Sequence, residues 1–132
     1  MPSPLGSGTY QVRVLLVLDR PTLIELVKLT LNHGAYTTRT VAAAEVETVV
    51  AEWKPQLLIL DMDLAGTQII PLVNRRTLVR RRVPVIGLTR RGDLKTKLAS
   101  FEAGVDDILS LPFAPEELLA RVIAVCDLTA TR

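Results

Sequence analysis

The chain has 132 residues, 48% of them hydrophobic and 23% charged, which suits one domain with a packed core and excludes a disordered chain. Its formal net charge of +2 is too small to indicate nucleic acid binding, and the single cysteine, Cys126, excludes an intramolecular disulfide or a multi-cysteine metal site. We expect a cytoplasmic protein outside the membrane, because no apolar run approaches the roughly 18 residues of a membrane span and the first residues lack the pattern of a signal peptide.

The first residues, 1–11, are rich in proline, glycine and serine, and we interpret them as a flexible lead-in. We expect the folded domain to span residues 12–127, followed at 128–132 by the start of a linker or tail. Val12–Leu18 is an apolar run of β-forming residues that ends at Asp19. Pro21 then begins a helical pattern that Gly34 ends.

The rest of the chain alternates between strand-like and helix-like patterns. Leu57–Leu60 is too short for a helix and lacks polar alternation, so it predicts a strand buried on both faces that leads into Asp61. The other predicted strands are Tyr36–Val41, Val83–Thr89 and Asp106–Leu111. The other predicted helices are Ala42–Trp53, Thr67–Arg82, Asp93–Ala103 and Pro115–Asp127.

Five strands that alternate with five helices predict an α/β fold with a parallel sheet and helices on both faces. The doubly wound, flavodoxin-like strand order is 2-1-3-4-5, which places strands 1 and 3 side by side where the order reverses. Asp19 and Asp61 follow those two strands, and Thr89 ends the neighbouring strand 4. We therefore expect two carboxylates and a hydroxyl to converge at the carboxyl edge of the sheet.

Oxygen ligands without a nearby histidine or thiol suit Mg²⁺, which binds proteins through one or two carboxylates together with a phosphate. A carboxylate can also act as a nucleophile that takes up a phosphoryl group. Asp61 as nucleophile, Asp19 as metal ligand and Thr89 as hydrogen-bond donor form a coherent set. The alternative is that aspartates at strand ends only cap the helices that follow.

Four stretches in the right order and spacing resemble the receiver domain of response regulators, from Val12 to about Asp127; they are VLLVLDRP, PQLLILDMDLAG, VPVIGLTRRGD and GVDDILSLPFAPEELLARV. The last is especially similar to receivers of winged-helix transcription factors. The resemblance implies that Asp61 is phosphorylated by a sensor histidine kinase, that Asp19 helps to bind Mg²⁺, and that Thr89 is the switch hydroxyl. It also implies that DNA is contacted only through an output domain.

Three departures from the family pattern indicate an atypical, degenerate receiver. Leu18 stands where receivers carry the first of two acids, Leu111 replaces the lysine before Pro-Phe, and Ile108 replaces an aromatic switch residue. We therefore expect weak or absent Mg²⁺ binding. Asp63 is either an additional metal ligand, alongside Asp19 and Asp61, or a solvated loop residue.

The resemblance further implies a homodimer through helix 4, strand 5 and helix 5. The matching positions combine charged and apolar side chains: Lys97, Asp107, Glu117 and Arg121, with Leu98, Phe101 and Leu119. The alternative for Glu117 and Arg121 is a pair within one helix.

Two further groups of residues are interpreted as structural. Seven arginines are expected on a solvated face of helix 3 and its exit loop: Arg75, Arg76, Arg80, Arg81, Arg82, Arg90 and Arg91. His33 is expected beside the end of a helix.

Three classes of function remain open. They are a receiver that is not an enzyme, a phosphorylation-independent pseudo-receiver that acts as an interaction module, and, ranked last, a Mg²⁺-dependent phosphatase. The cognate kinase, the effector and the stimulus do not follow from the sequence.

Overall fold

The computed structural model describes residues 11–32, 34–64, 66–74 and 82–130. These residues form one parallel sheet of five strands in the order β2-β1-β3-β4-β5, as predicted. The strands are β1 (Val12–Val17), β2 (Tyr36–Thr40), β3 (Leu57–Asp61), β4 (Val85–Thr89) and β5 (Asp107–Ser110). The helices are α1 (Pro21–Leu31), α2 (Val46–Trp53), α3 (Gly66–Asn74), α4 (Leu94–Glu102) and α5 (Pro115–Ala130).

Several predicted boundaries are wrong, among them the end of the last helix, which was predicted at Asp127 and extends to Ala130. The helix predicted from Ala42 begins instead with a 3₁₀ turn at Ala43–Glu45 and becomes α-helical at Val46. The third helix was predicted to reach Arg82, but Arg82 lies outside any helix, and its guanidinium pairs with Asp106. The fourth strand begins at Val85 rather than Val83, because the Val83 amide donates to the side chain of Asn74 instead of to a neighbouring strand.

Alternate residues of the strands supply two separate hydrophobic cores, as expected for a sheet that is covered on both faces. Val14, Leu16 and Leu18 belong to the first core, which α1 and α5 cover. Leu15 and Val17 belong to the second core, which also contains residues of α2 and α3. The central strand β3 is buried along its whole length, so its last residue, Asp61, has a fixed position.

The strand register brings the chemically interesting residues to one edge of the sheet. Val17 at the end of β1 lies opposite Leu60, and Asp61 lies opposite Leu88, one residue before Thr89. The loops that follow β1, β3 and β4 therefore meet at this edge, where ligands bind in doubly wound folds.

Some predicted features lie outside the described residues, namely the lead-in up to residue 10, His33, and the arginines at 75, 76, 80 and 81. Within the part that the structure describes, no helix has the length and apolar character needed to cross a membrane.

Candidate functional site

Asp61 lies at the centre of the candidate site. It is the last residue of β3 and is only 3% exposed. Its carboxylate oxygen Oδ1 accepts a hydrogen bond of 2.9 Å from the backbone amide of Asp63. A carboxylate buried to this degree needs compensation for the loss of water.

Arg20 supplies a positive charge beside Asp61. One terminal nitrogen of its guanidinium lies 3.7 Å from Asp61 Oδ2, and the arginine side chain is 35% exposed. Two of its nitrogens, Nε and that same terminal nitrogen, are buried and have no hydrogen-bond partner among the described residues. The guanidinium is therefore held next to the carboxylate with unused donors.

Asp63 is tied to the loop that follows β4. Its oxygen Oδ1 accepts a 2.7 Å hydrogen bond from the fully buried hydroxyl of Thr89, and its Oδ2 accepts a 2.8 Å bond from the Arg90 amide. The Thr89 hydroxyl in turn accepts a bond of 2.9 Å from the Arg91 amide. In this conformation the predicted switch hydroxyl therefore donates to Asp63 rather than to an oxygen on Asp61.

These contacts perturb the pKa of Asp63. Burial favours the neutral acid, but the hydrogen bonds from the Arg90 amide and the Thr89 hydroxyl, with the charges of Arg90 and Arg91, outweigh it. The pKa of Asp63 is consequently lowered from its ordinary value of 3.8. Its ionised form stabilises the folded state above the unfolded pKa, and this contribution disappears as the pH falls through the folded pKa.

We expect Asp63→Asn to lower the free energy of unfolding by about 1 kcal/mol at pH 7, because the amide accepts weaker hydrogen bonds than the carboxylate. The difference should shrink below pH 3.8, as the wild-type carboxyl group becomes neutral. Urea unfolding of both proteins between pH 7 and pH 3 measures this difference in the free energy of unfolding. A difference that stays constant over this range would show that the charge of Asp63 contributes nothing.

The described residues fit a tight Mg²⁺ site poorly. Leu18 is 4% exposed and belongs to the first hydrophobic core, whereas Asp19 is exposed just after β1. Asp61 already has a cation beside it, and both oxygens of Asp63 accept hydrogen bonds. Within the described ranges, no three histidine, cysteine or acidic residues come together as a group that could hold a metal ion.

A cleft of about 580 Å³ lies next to Arg20, and Leu111 is part of its wall. The other residues that line this cleft include Leu23, Arg90 and Phe113. Leu111 is half-buried, and its amide donates a 2.8 Å hydrogen bond to the Thr89 carbonyl. An apolar side chain therefore stands where the family pattern places the lysine.

The predicted dimer face is partly engaged within the chain. Arg121 pairs with Asp107 at 3.0 Å and lies 3.9 Å from Glu117 on its own helix.

Leu98 and Phe101 are 53% and 45% exposed, and Lys97 on the same helix is half-buried. Leu119 is also half-buried and packs against the first core. Ile108, which replaces the aromatic switch, is buried in the second core.

Sequence reasoning missed Arg20 as a site residue, and it missed the link between Asp63 and Thr89. The available signal for Arg20 was its place between the strand-ending Asp19 and the helix-starting Pro21, since this turn faces the edge of the sheet where Asp61 lies.

Comparison with known proteins places this arrangement in a family. The model for the response regulator receiver domain matches residues 14–123. The phosphate regulon transcriptional regulatory protein PhoB of Pseudomonas aeruginosa is 33% identical over 115 residues, or 85% of this chain and 50% of that protein. The chain spans about half the length of the curated relatives it matches.

Solved structures show the same fold. A protein of Chloroflexus aurantiacus J-10-fl described as a response regulator is 32% identical, with a TM-score of 0.80 over 89% of this chain and 98% of that one. The receiver domain of the sensor histidine kinase PA1611 from Pseudomonas aeruginosa PAO1 is 22% identical, with a TM-score of 0.77 over 89% and 98% of the two chains. That structure holds a magnesium ion in its active-site cleft.

Proposed function

Because this chain belongs to the response regulator receiver domain family, we propose that it receives the signal of a two-component system, with Asp61 as the position that accepts a phosphoryl group. The observation that carries the proposal is the place of Asp61, buried at the end of the central strand and beside a cation. Receiver domains are signalling modules that bind Mg²⁺ in the active site.

In the proposed reaction, a carboxylate oxygen of Asp61 attacks the phosphorus of a phosphohistidine on a sensor kinase. The new O–P bond forms as the N–P bond breaks, and the electron pair returns to the imidazole nitrogen, which takes up a proton. The backbone amide of Asp63 holds one oxygen of the nucleophile, which fixes the direction of attack. Leu111 cannot donate a charge-assisted hydrogen bond to phosphorylated Asp61. The phosphorylated form therefore lacks about 1.5–3 kcal/mol of the stabilisation that a lysine at this position would give.

Intact-mass spectrometry after incubation with a small phosphodonor tests this function. We expect the wild-type chain to gain the mass of one phosphoryl group slowly and in substoichiometric amount, because the lysine is missing. Asp61→Asn is expected to gain none, and Asp63→Asn is the matched control that keeps the acceptor. No gain in the wild type at saturating donor, with or without Mg²⁺, would contradict the proposal.

We place the chain in a transcriptional regulator of the PhoB type, in the cytoplasm, where an output domain contacts DNA. Support comes from the relatives, which are named as transcriptional regulators and of whose length this chain spans about half. Homodimerisation would use α4, β5 and α5, where Leu98 and Phe101 of α4 are exposed and Asp107 of β5 pairs with Arg121 of α5.

A second candidate function is a phosphorylation-independent interaction module. The burial of Leu18 in the first core favours it, because a leucine at this position cannot help to hold a metal ion. The mass experiment separates the two functions, since an interaction module would gain no phosphoryl group.

A further inference from the structure

We infer that Arg20 takes the place of the metal ion at Asp61, so that a divalent cation can bind there only by displacing the guanidinium. The inference concerns the resting carboxylate and goes beyond the proposed phosphorylation. Receiver domains bind Mg²⁺ in the active site, but the side chains that this chain has at the site fit a metal ion poorly.

The position of the charge supports the inference. The guanidinium nitrogen lies 3.7 Å from Asp61 Oδ2, on a carboxylate that is almost completely buried. Attraction between opposite charges at this distance is much stronger near a buried group than in water. A divalent cation that approaches the same oxygen would be repelled by the guanidinium.

The backbone holds Arg20 in this position. Arg20 is the N-cap residue of α1, and its carbonyl accepts a 2.9 Å hydrogen bond from the Ile24 amide. Pro21 follows it at the first helical position, where the ring fixes the backbone. The backbone of Arg20 is therefore fixed beside the edge of the sheet, so that only its side chain must be ordered when it pairs with Asp61.

Among the described residues, those that could favour a metal ion over the arginine lie in solvent or are engaged elsewhere, since the predicted ligand Asp19 is exposed just after β1. Leu18 adds no negative charge, and the carboxylate of Asp63 is held by Thr89 and by the Arg90 amide. A single buried carboxylate balances one positive charge, which the guanidinium supplies, so binding of Mg²⁺ would leave an excess of positive charge.

Isothermal titration calorimetry with Mg²⁺, without any phosphodonor, tests the inference on the whole chain. We expect Arg20→Gln to bind Mg²⁺ at least roughly tenfold more tightly than the wild type, because the competing charge is gone. Lys95→Gln is the control, since it removes an exposed positive charge from the first turn of α4, outside the contacts of the site, and should change the affinity less than about twofold. Equal affinities of the wild type and of a folded Arg20→Gln would overturn the inference.

A measurement on the wild type covers the case in which the variant does not fold. The Nε–H resonance of Arg20 should shift and exchange faster with water as Mg²⁺ is added, because the guanidinium leaves Asp61. Saturation with Mg²⁺ that leaves this resonance unmoved would overturn the inference. Neither experiment involves phosphorylation, so its failure is distinguishable from failure of the proposed function.

Discussion

Leu18→Asp is expected to lower the free energy of unfolding by about 2–5 kcal/mol in metal-free buffer at pH 7. Leu18 is 4% exposed and packs in the first core, so the substitution removes apolar contacts and places a carboxylate next to them. The same substitution restores the acid that receivers carry after the first strand. Mg²⁺ should therefore stabilise the variant. Once the Mg²⁺ concentration exceeds the dissociation constant, the free energy of unfolding should rise in proportion to the logarithm of that concentration.

Urea unfolding with and without Mg²⁺ measures both effects. Leu18→Asn is the control, because its side chain has nearly the size of aspartate but no charge. We expect both variants to be destabilised, and only Leu18→Asp to recover stability with Mg²⁺. Equal behaviour of the two variants would mean that residue 18 does not face the metal position, and the assignment of the missing acid would then be wrong.

The fold could be predicted from the sequence because its main signals are local. The apolar run Leu57–Leu60 and the alternation of strands and helices determine the sheet order through general rules of topology. The place of Asp61 follows from the strand that precedes it. Pro21 marked the start of a helix correctly, since a first-turn proline acts through its own backbone.

The contacts of the site could not be predicted, since they depend on which loops meet at the edge of the sheet. The pairing of Asp63 with Thr89 joins residues 26 positions apart in the chain. Asp63 had been assigned either to a metal or to solvent, and neither alternative includes a hydrogen bond to the switch hydroxyl. The place of Arg20 between Asp19 and Pro21 put it near the edge of the sheet, but only the three-dimensional arrangement shows its carboxylate partner.

Arg82 shows the same limit outside the site. The sequence assigned it to a solvated helix face, whereas the structure places its guanidinium on Asp106, just before β5. Asp106 also accepts a 2.8 Å hydrogen bond from the Val85 amide through its side chain, and its own amide donates to the Val85 carbonyl at 2.8 Å. One carboxylate thus joins the beginnings of β4 and β5.

We therefore expect Asp106→Ala to lower the free energy of unfolding by about 1.5–3 kcal/mol, because the amide of the fully buried Val85 loses its charged acceptor. Asp106→Asn should cost less, since its amide oxygen still accepts from Val85. Arg82→Gln removes only the ion pair of a side chain that is 34% exposed, and we expect it to cost less than about 1 kcal/mol.

Urea unfolding of the single variants and of the double variant Arg82→Gln with Asp106→Ala separates these contributions, because the coupling energy between the two residues isolates the ion pair. Glu102→Ala is the control, because it removes an exposed carboxylate from the end of α4. If Asp106→Ala were no more destabilising than Asp106→Asn, the hydrogen bond from the Val85 amide to Asp106 would contribute nothing. Only the backbone hydrogen bonds between β4 and β5 would then connect the two strands.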